Sequence, residues 1–279
     1  MTKNRGSNRM FVVRLLTALL VVVSSQVVVA QKYTLGIRAG GSITWPGFGD
    51  PESKDVFNRR MKPGVQGGIL IGFPLRDNYD LILEGGMSQR GRILTFNQGH
   101  EWQNSTTYRM VDMGMMLKRS FTFMLKKDTP TDAFINIGPQ INYWMSSVGY
   151  IRVGDGPKYR YDMIFGDGEY SGDDYAMRVQ DVNRWLFSLG IGAGFKMPLR
   201  EGKHLVTEVR FISGHTFLGK ETSSYQGMNG ILWGDGNMQD TMKTNLKTIN
   251  LTVAYTLDVD VKESRRGKST INKRMKKAK

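Results

Sequence analysis

From residue 184 to 198 the chain alternates with a period of two. Trp185, Phe187, Leu189, Ile191, Ala193, Phe195 and Met197 fall on one face, and Ser188, Gly190, Gly192, Gly194 and Lys196 on the other. An extended strand is the element that puts successive side chains on opposite faces. Strands of soluble sheets average about five or six residues. This one is long enough to cross a bilayer at a tilt, its apolar face toward lipid and its polar, glycine-rich face toward a crowded interior. The alternation therefore predicts an all-β protein of the outer-membrane type.

The start of the chain fits that address. Lys3, Arg5, Arg9 and Arg14 precede the apolar run 15–23, and Val28-Val29-Ala30 offers small or modest side chains before Gln31. This is the pattern of a secretory signal peptide over residues 1–30, cleaved after Ala30. A retained anchor helix is the alternative, but the run is shorter than the roughly 20 residues a helical span needs. No other stretch reads as a transmembrane helix, which leaves closed strands as the way to cross a membrane with every backbone group paired.

The formal charge of +14 suggests a nucleic-acid binder until it is divided along the chain. The leader carries +4 and residues 262–279 carry +8, which leaves +2 for residues 31–261. Basicity belongs to the two ends, and the export signal excludes nucleic acid as a partner. There is no cysteine, so neither a disulfide nor a thiolate metal site is available. No cofactor is expected.

Eight strands are predicted, near 33–44, 62–75, 79–96, 106–123, 133–148, 184–198, 204–217 and 246–259. Short turn-rich links at 75–79, 126–132 and 200–203 alternate with longer polar segments at 45–61, 97–105, 149–183 and 218–245. An even strand number with this alternation predicts an eight-stranded antiparallel transmembrane β-barrel over residues 31–261, with short periplasmic turns, long extracellular loops and both termini periplasmic. Val65, Ile69, Leu83, Met113, Ile137, Val209 and Leu251 are assigned to the lipid face. Arg38, Glu84, Arg90, Asp112, Lys118, Glu208 and Arg210 are assigned inward, with Gln66, Asn136 and Gln140. Opposite charges in so narrow a space have to pair, because an isolated buried charge is very costly. Eight strands enclose a space that side chains nearly fill.

The segments Leu35-Gly-Ile-Arg-Ala-Gly-Gly-Ser-Ile-Thr44, Lys62-Pro-Gly-Val-Gln-Gly-Gly-Ile-Leu70 and Leu83-Glu-Gly-Gly-Met-Ser-Gln-Arg-Gly91 carry a resemblance, continued by Asn136-Ile-Gly-Pro-Gln140 and Leu189-Gly-Ile-Gly-Ala-Gly194. Over about residues 31–259 the chain resembles the small outer-membrane β-barrel proteins of Bacteroidetes-type bacteria called PorT-like or porin-family. The resemblance implies the fold and the outer membrane. Some members are linked to type IX secretion, which implies a component of a larger secretion-type complex.

Catalytic readings are thin. Gly190-x-Gly192-x-Gly194 puts its glycines on one strand face with no helix following, unlike a dinucleotide loop. Ser213 and His215 share a face, but no third group is fixed to orient the histidine. The segment 149–183 interleaves Asp155, Asp162, Asp167, Glu169, Asp173, Asp174 and Asp181 with six aromatics. It reads as a solvated loop with packed aromatics, as a cation site, or as a Tyr-rich recognition surface. Residues 262–279 are expected to form a basic disordered periplasmic tail, with Lys262, Arg265, Arg266, Lys268, Lys273, Arg274, Lys276, Lys277 and Lys279 as its contacts. The expected role is structural or interactive, with outer-membrane lipid and outer-membrane or periplasmic proteins as partners. A narrow passive channel for small solutes is the alternative.

Overall fold

The structure is a computed structural model that describes residues 32–49, 54–55, 57–96, 102–126, 129–165, 175–179, 182–219, 237–239 and 244–260. The predicted leader 1–30 and the basic tail 262–279 lie outside the described residues. The strands, in chain order, are β1 (Lys32–Phe48), β2 (Phe57–Arg60), β3 (Lys62–Arg76), β4 (Tyr79–Phe96), β5 (Trp102–Lys126), β6 (Thr129–Val153), β7 (Lys158–Phe165), β8 (Tyr175–Val179), β9 (Trp185–Arg200), β10 (Lys203–Gly214), β11 (Asn237–Gln239) and β12 (Thr244–Asp260).

Eight of these close into a ring. β1, β3, β4, β5, β6, β9, β10 and β12 each pair antiparallel with their neighbours, β12 returns to β1, and every ring strand is followed in the chain by its ring neighbour. Two-residue turns at Asp77-Asn78 and Glu201-Gly202 mark one end of the ring, the turn end, where Lys32 and Asp260 also lie opposite each other. The second residue of each turn is left-handed, with φ of 66° at Asn78 and 67° at Gly202, a conformation that asparagine and glycine adopt at least cost. The turn carbonyls are used: Asn78 accepts from the Ser120 amide at 2.8 Å and Gly202 from the Asp258 amide at 2.7 Å.

The alternation decides which side chains go where. β9 is exposed and buried by turns along its first half, and the same rhythm runs through β12. Ile37, Val65, Ile69, Met87, Ile191 and Leu251, from around the ring, are 55–64% exposed on the outside. A continuous apolar girdle of this kind needs a cover other than water.

The interior has two zones. Toward the turn end it is polar. Toward the other end it has an apolar core of Phe48, Leu94, Tyr108, Met110, Trp144, Leu186 and Leu246 from the ring, met by Phe57 from β2 and by Tyr161, Met163, Met177 and Val179 from β7 and β8. Tyr108 meets Trp144 edge to face at 5.1 Å, and Trp144 meets Phe165 at 4.9 Å.

β7 and β8 correct the expectation of an irregular loop over 149–183, just as β2 corrects 45–61 and β11 corrects 218–245. The physical reason lies in β6. Its register on β5 skips a residue at Met145, so the inward set changes from Trp144 to Ser147 and Ile151. Such a bulge bends its strand. Up to Tyr143, β6 pairs with β9; from Val148 it pairs with β7, and β8 and β11 add to that sheet in parallel. Where β6 and β9 part, Arg184 takes up the freed carbonyls, donating to Trp144 O at 3.1 Å and Met145 O at 3.2 Å, while its guanidinium lies over Tyr143 and Phe165. Other strand bounds also shift: β5 and β6 outrun 106–123 and 133–148, and β10 stops at Gly214, short of 217.

Candidate functional site: the interior charge network

Even-numbered residues of β1, β4 and β10 face inward, which brings Arg38, Glu84, Glu208 and Arg210 to one level of the ring. Arg210 Nη1 and Nη2 donate to the Glu84 carboxylate at 2.5 and 2.8 Å, a two-point pairing, and its Nε and Nη2 reach Glu208 at 2.5 and 3.0 Å. Arg38 Nη1 adds a second cation to Glu84 at 2.8 Å, and Asn136 Nδ2 donates to Glu208 at 3.1 Å. β4 and β10 stand four strands apart in a ring of eight, so Glu84 and Arg210 bridge its full width. Gly190, Gly192 and Gly194 of β9 face this network.

A second cluster joins neighbouring strands. Arg90 on β4 pairs with Asp112 on β5 at 3.0 Å, Asn142 on β6 donates to the same carboxylate at 2.5 Å, and Ser188 on β9 donates to Asn142 at 2.9 Å. Lys118 meets Asp80 at 2.7 Å and lies over the Phe134 ring. Asn250 on β12 donates to Gln66 on β3 across the intervening β1 at 3.1 Å. At the turn end Asp258 gathers Thr34, Lys196 and His204 at 2.7, 3.6 and 2.8 Å.

All seven interior charges singled out from the alternation thus lie inside the ring and bear on one another or on Asp80 and asparagines. Asp80, Asn142 and Asp258 were not singled out, and Lys196 was placed on the inward face of its strand but not in the charge network. Asp80 shares its parity with Glu84, so the alternation alone could have found it. Between the network and the turn end there is a cavity of about 50 Å³, bordered by Arg38, Glu84, Lys118 and Glu208 among others. That is room for a few waters at most. Ion pairs cross one zone, and the other holds the apolar core beside the buried Arg92, Asn104, Thr106 and Thr244.

Other candidates are not assembled into a site. Ser213 is the penultimate residue of β10 and His215 lies just beyond the strand, its amide bonded to Phe187 O at 2.9 Å. Asp155 and Asp162 each lie 3.5 Å from an arginine, Arg152 and Arg160. Asp167, Glu169, Asp173, Asp174 and Asp181 fall outside the described residues. Among the described residues no group of three His, Asp or Glu side chains could hold a metal ion, and no helix is long and apolar enough to cross a membrane.

Residues 28–214 match the family described as outer membrane protein beta-barrel domain. Among solved structures, the chain is similar to Neisserial surface protein A at 10% identity over 82% of this chain and 97% of that one, with a TM-score of 0.38. It is similar to the outer membrane protein OprG from Pseudomonas aeruginosa at 10% identity over 81% and 95%, TM-score 0.40. It is also similar to Ail, the attachment invasion locus protein of Yersinia pestis, at 9% identity over 81% and 99%, TM-score 0.32. No curated protein matches it.

Proposed function

The chain belongs to the outer membrane protein beta-barrel domain family, and from that premise we propose that its ring is a closed transmembrane barrel with a structural or interaction role, neither catalytic nor an open channel. In this reading the turn end is periplasmic and the end bearing β7 and β8 is extracellular. The outward residues of β5 between Arg109 and Arg119 are Val111, Met113, Met115 and Leu117. Ten residues of tilted strand rise about 25 Å, the height of an outer-membrane apolar band. Arg119 over Tyr79 and Phe121, and the Tyr143–Trp185 pair, sit at its two edges.

The observation that carries the reading is the Glu84–Arg210 bridge across the full width of the ring, beneath the apolar core. A solute would have to break several charge-assisted hydrogen bonds and then pass the apolar core. Single-channel recording of the purified chain in planar bilayers is expected to show insertion without stable openings. Stable openings of the unmodified chain would replace this reading with the passive channel.

The finer reading is a PorT-like component of a secretion-type complex, exported by cleavage after Ala30 and reaching a periplasmic or outer-membrane partner through the tail from Lys262 to Lys279. The tail's 18 residues could extend up to about 60 Å. A chain ending at Val261 is expected to insert normally yet lose a salt-sensitive partner that the full chain retains in mild-detergent affinity purification. Retention of every partner at low salt would remove the tether from the reading.

A further inference from the structure

On the outward face beyond the apolar band, β5, β6 and β7 form a groove of about 330 Å³ lined by Gln103, Ser105, Tyr150, Arg152 and Lys158. The strand register builds it. Gln103, Arg152 and Lys158 stand side by side on one rung across the three strands, and Ser105 and Tyr150 on a rung nearer the band. No carboxylate lines it. Arg152 is held from the side, its Nε donating to Gly154 O at 2.8 Å and one Nη lying 3.5 Å from the fully exposed Asp155. A third cation reaches the edge of the groove: the stem of Lys62 lies over Gly91, where a side chain would collide with it, and Nζ donates to Ser105 Oγ at 2.8 Å. Among the described residues neither Lys62 nor Lys158 has a carboxylate within ion-pair distance.

Three cations, an amide, a hydroxyl and a half-exposed tyrosine ring around one concave space suit an anion that also offers hydroxyls and a flat apolar face. The position says which. Ser105 and Gln103 are four and six residues past Arg109, which puts the groove about 10–15 Å above the edge of the band. Being on the outward face, it opens sideways, along the membrane surface. We propose that this groove binds an acidic saccharide, the phosphate- or carboxylate-bearing sugar portion of the outer-leaflet glycolipid around the barrel. This rests on the membrane reading given above.

The full chain in phosphatidylcholine nanodiscs, titrated with deacylated phosphorylated core oligosaccharide of lipopolysaccharide, is expected to bind it in a salt-sensitive manner. Joint replacement Arg152→Ala with Lys158→Ala should weaken binding on the order of ten-fold or more. Both side chains stand on the surface, and unchanged heat-modifiable gel migration will show that the ring is intact. Arg152→Lys, which keeps the charge and loses the planar fork, should give an intermediate loss. Equal binding by the double variant, or equal binding of the dephosphorylated, carboxyl-reduced oligosaccharide, would overturn the proposal. Tighter binding of free polyglucuronate than of the core oligosaccharide would overturn the glycolipid as occupant. A chain that inserts but does not bind removes this proposal alone; one that does not insert removes the membrane reading and this proposal together.

Discussion

Replacing Glu84 by alanine is expected to destabilise the folded chain by about 3–5 kcal/mol, the usual cost of breaking a buried ion pair by removing one partner. Glu84 receives both forks of Arg210 and one nitrogen of Arg38, so its removal leaves two guanidiniums with reduced compensation. Arg210 keeps Glu208; Arg38 keeps no carboxylate partner among the described residues. Urea unfolding in micelles, followed by tryptophan fluorescence and gel shift, measures the loss. Arg38→Met is the internal comparison. It leaves the Glu84–Arg210 pairing in place and should cost about 1–2 kcal/mol. Equal losses for the two variants would mean that the bridge contributes no more than the edge contact.

Gly138→Ala should cost about 3 kcal/mol, at the upper end of overpacking effects, although it adds one methyl group. A Cβ at Gly138 would sit 1.9 Å from Met115 O and 2.9 Å from Met116 Cα, all backbone atoms of the paired strand, so β5 and β6 would have to move apart. Gly85→Ala is the control, since a Cβ there meets nothing within 4 Å. The same unfolding measurement compares them, and similar midpoints would show that the sheet yields at Gly138.

The face assignments were legible because the period of two survives along most ring strands. From Val65 to Leu251 the apolar residues assigned outward are outward, and Glu84, Arg90 and Arg210, assigned inward, lie in contact with partners. The predicted span 79–96 coincides with β4. What the alternation hid has a common cause. At Met145 one residue is skipped, the parity of β6 inverts, and a pattern read in steps of two breaks just before β6 takes up its pairing with β7 at Val148. The apolar core was hidden differently. Leu94, Tyr108, Met110 and Leu246 have inward parity, but a rule that assigns apolar residues to the outside cannot say that the interior changes from polar to apolar along its length. Asp80 was legible by parity yet sits at a strand end, where composition reads as turn.

The bridge across the ring also bears on how the ring is made. Glu84 and Arg210 are 126 residues apart in the chain. In the sheet open between β1 and β12, with β5, β6 and β9 between their strands, they would be separated by four strand spacings of about 4.8 Å, roughly 19 Å. Curvature alone brings them together. The pair forms only as the two edges meet, whereas Arg210–Glu208 within β10 and Arg90–Asp112 between adjacent strands do not depend on closure. Closure is therefore the step at which Glu84 meets Arg210, and reopening at the β1–β12 seam would have to separate those charges again. A half-built sheet gains little by waiting, and a finished ring is slow to come undone.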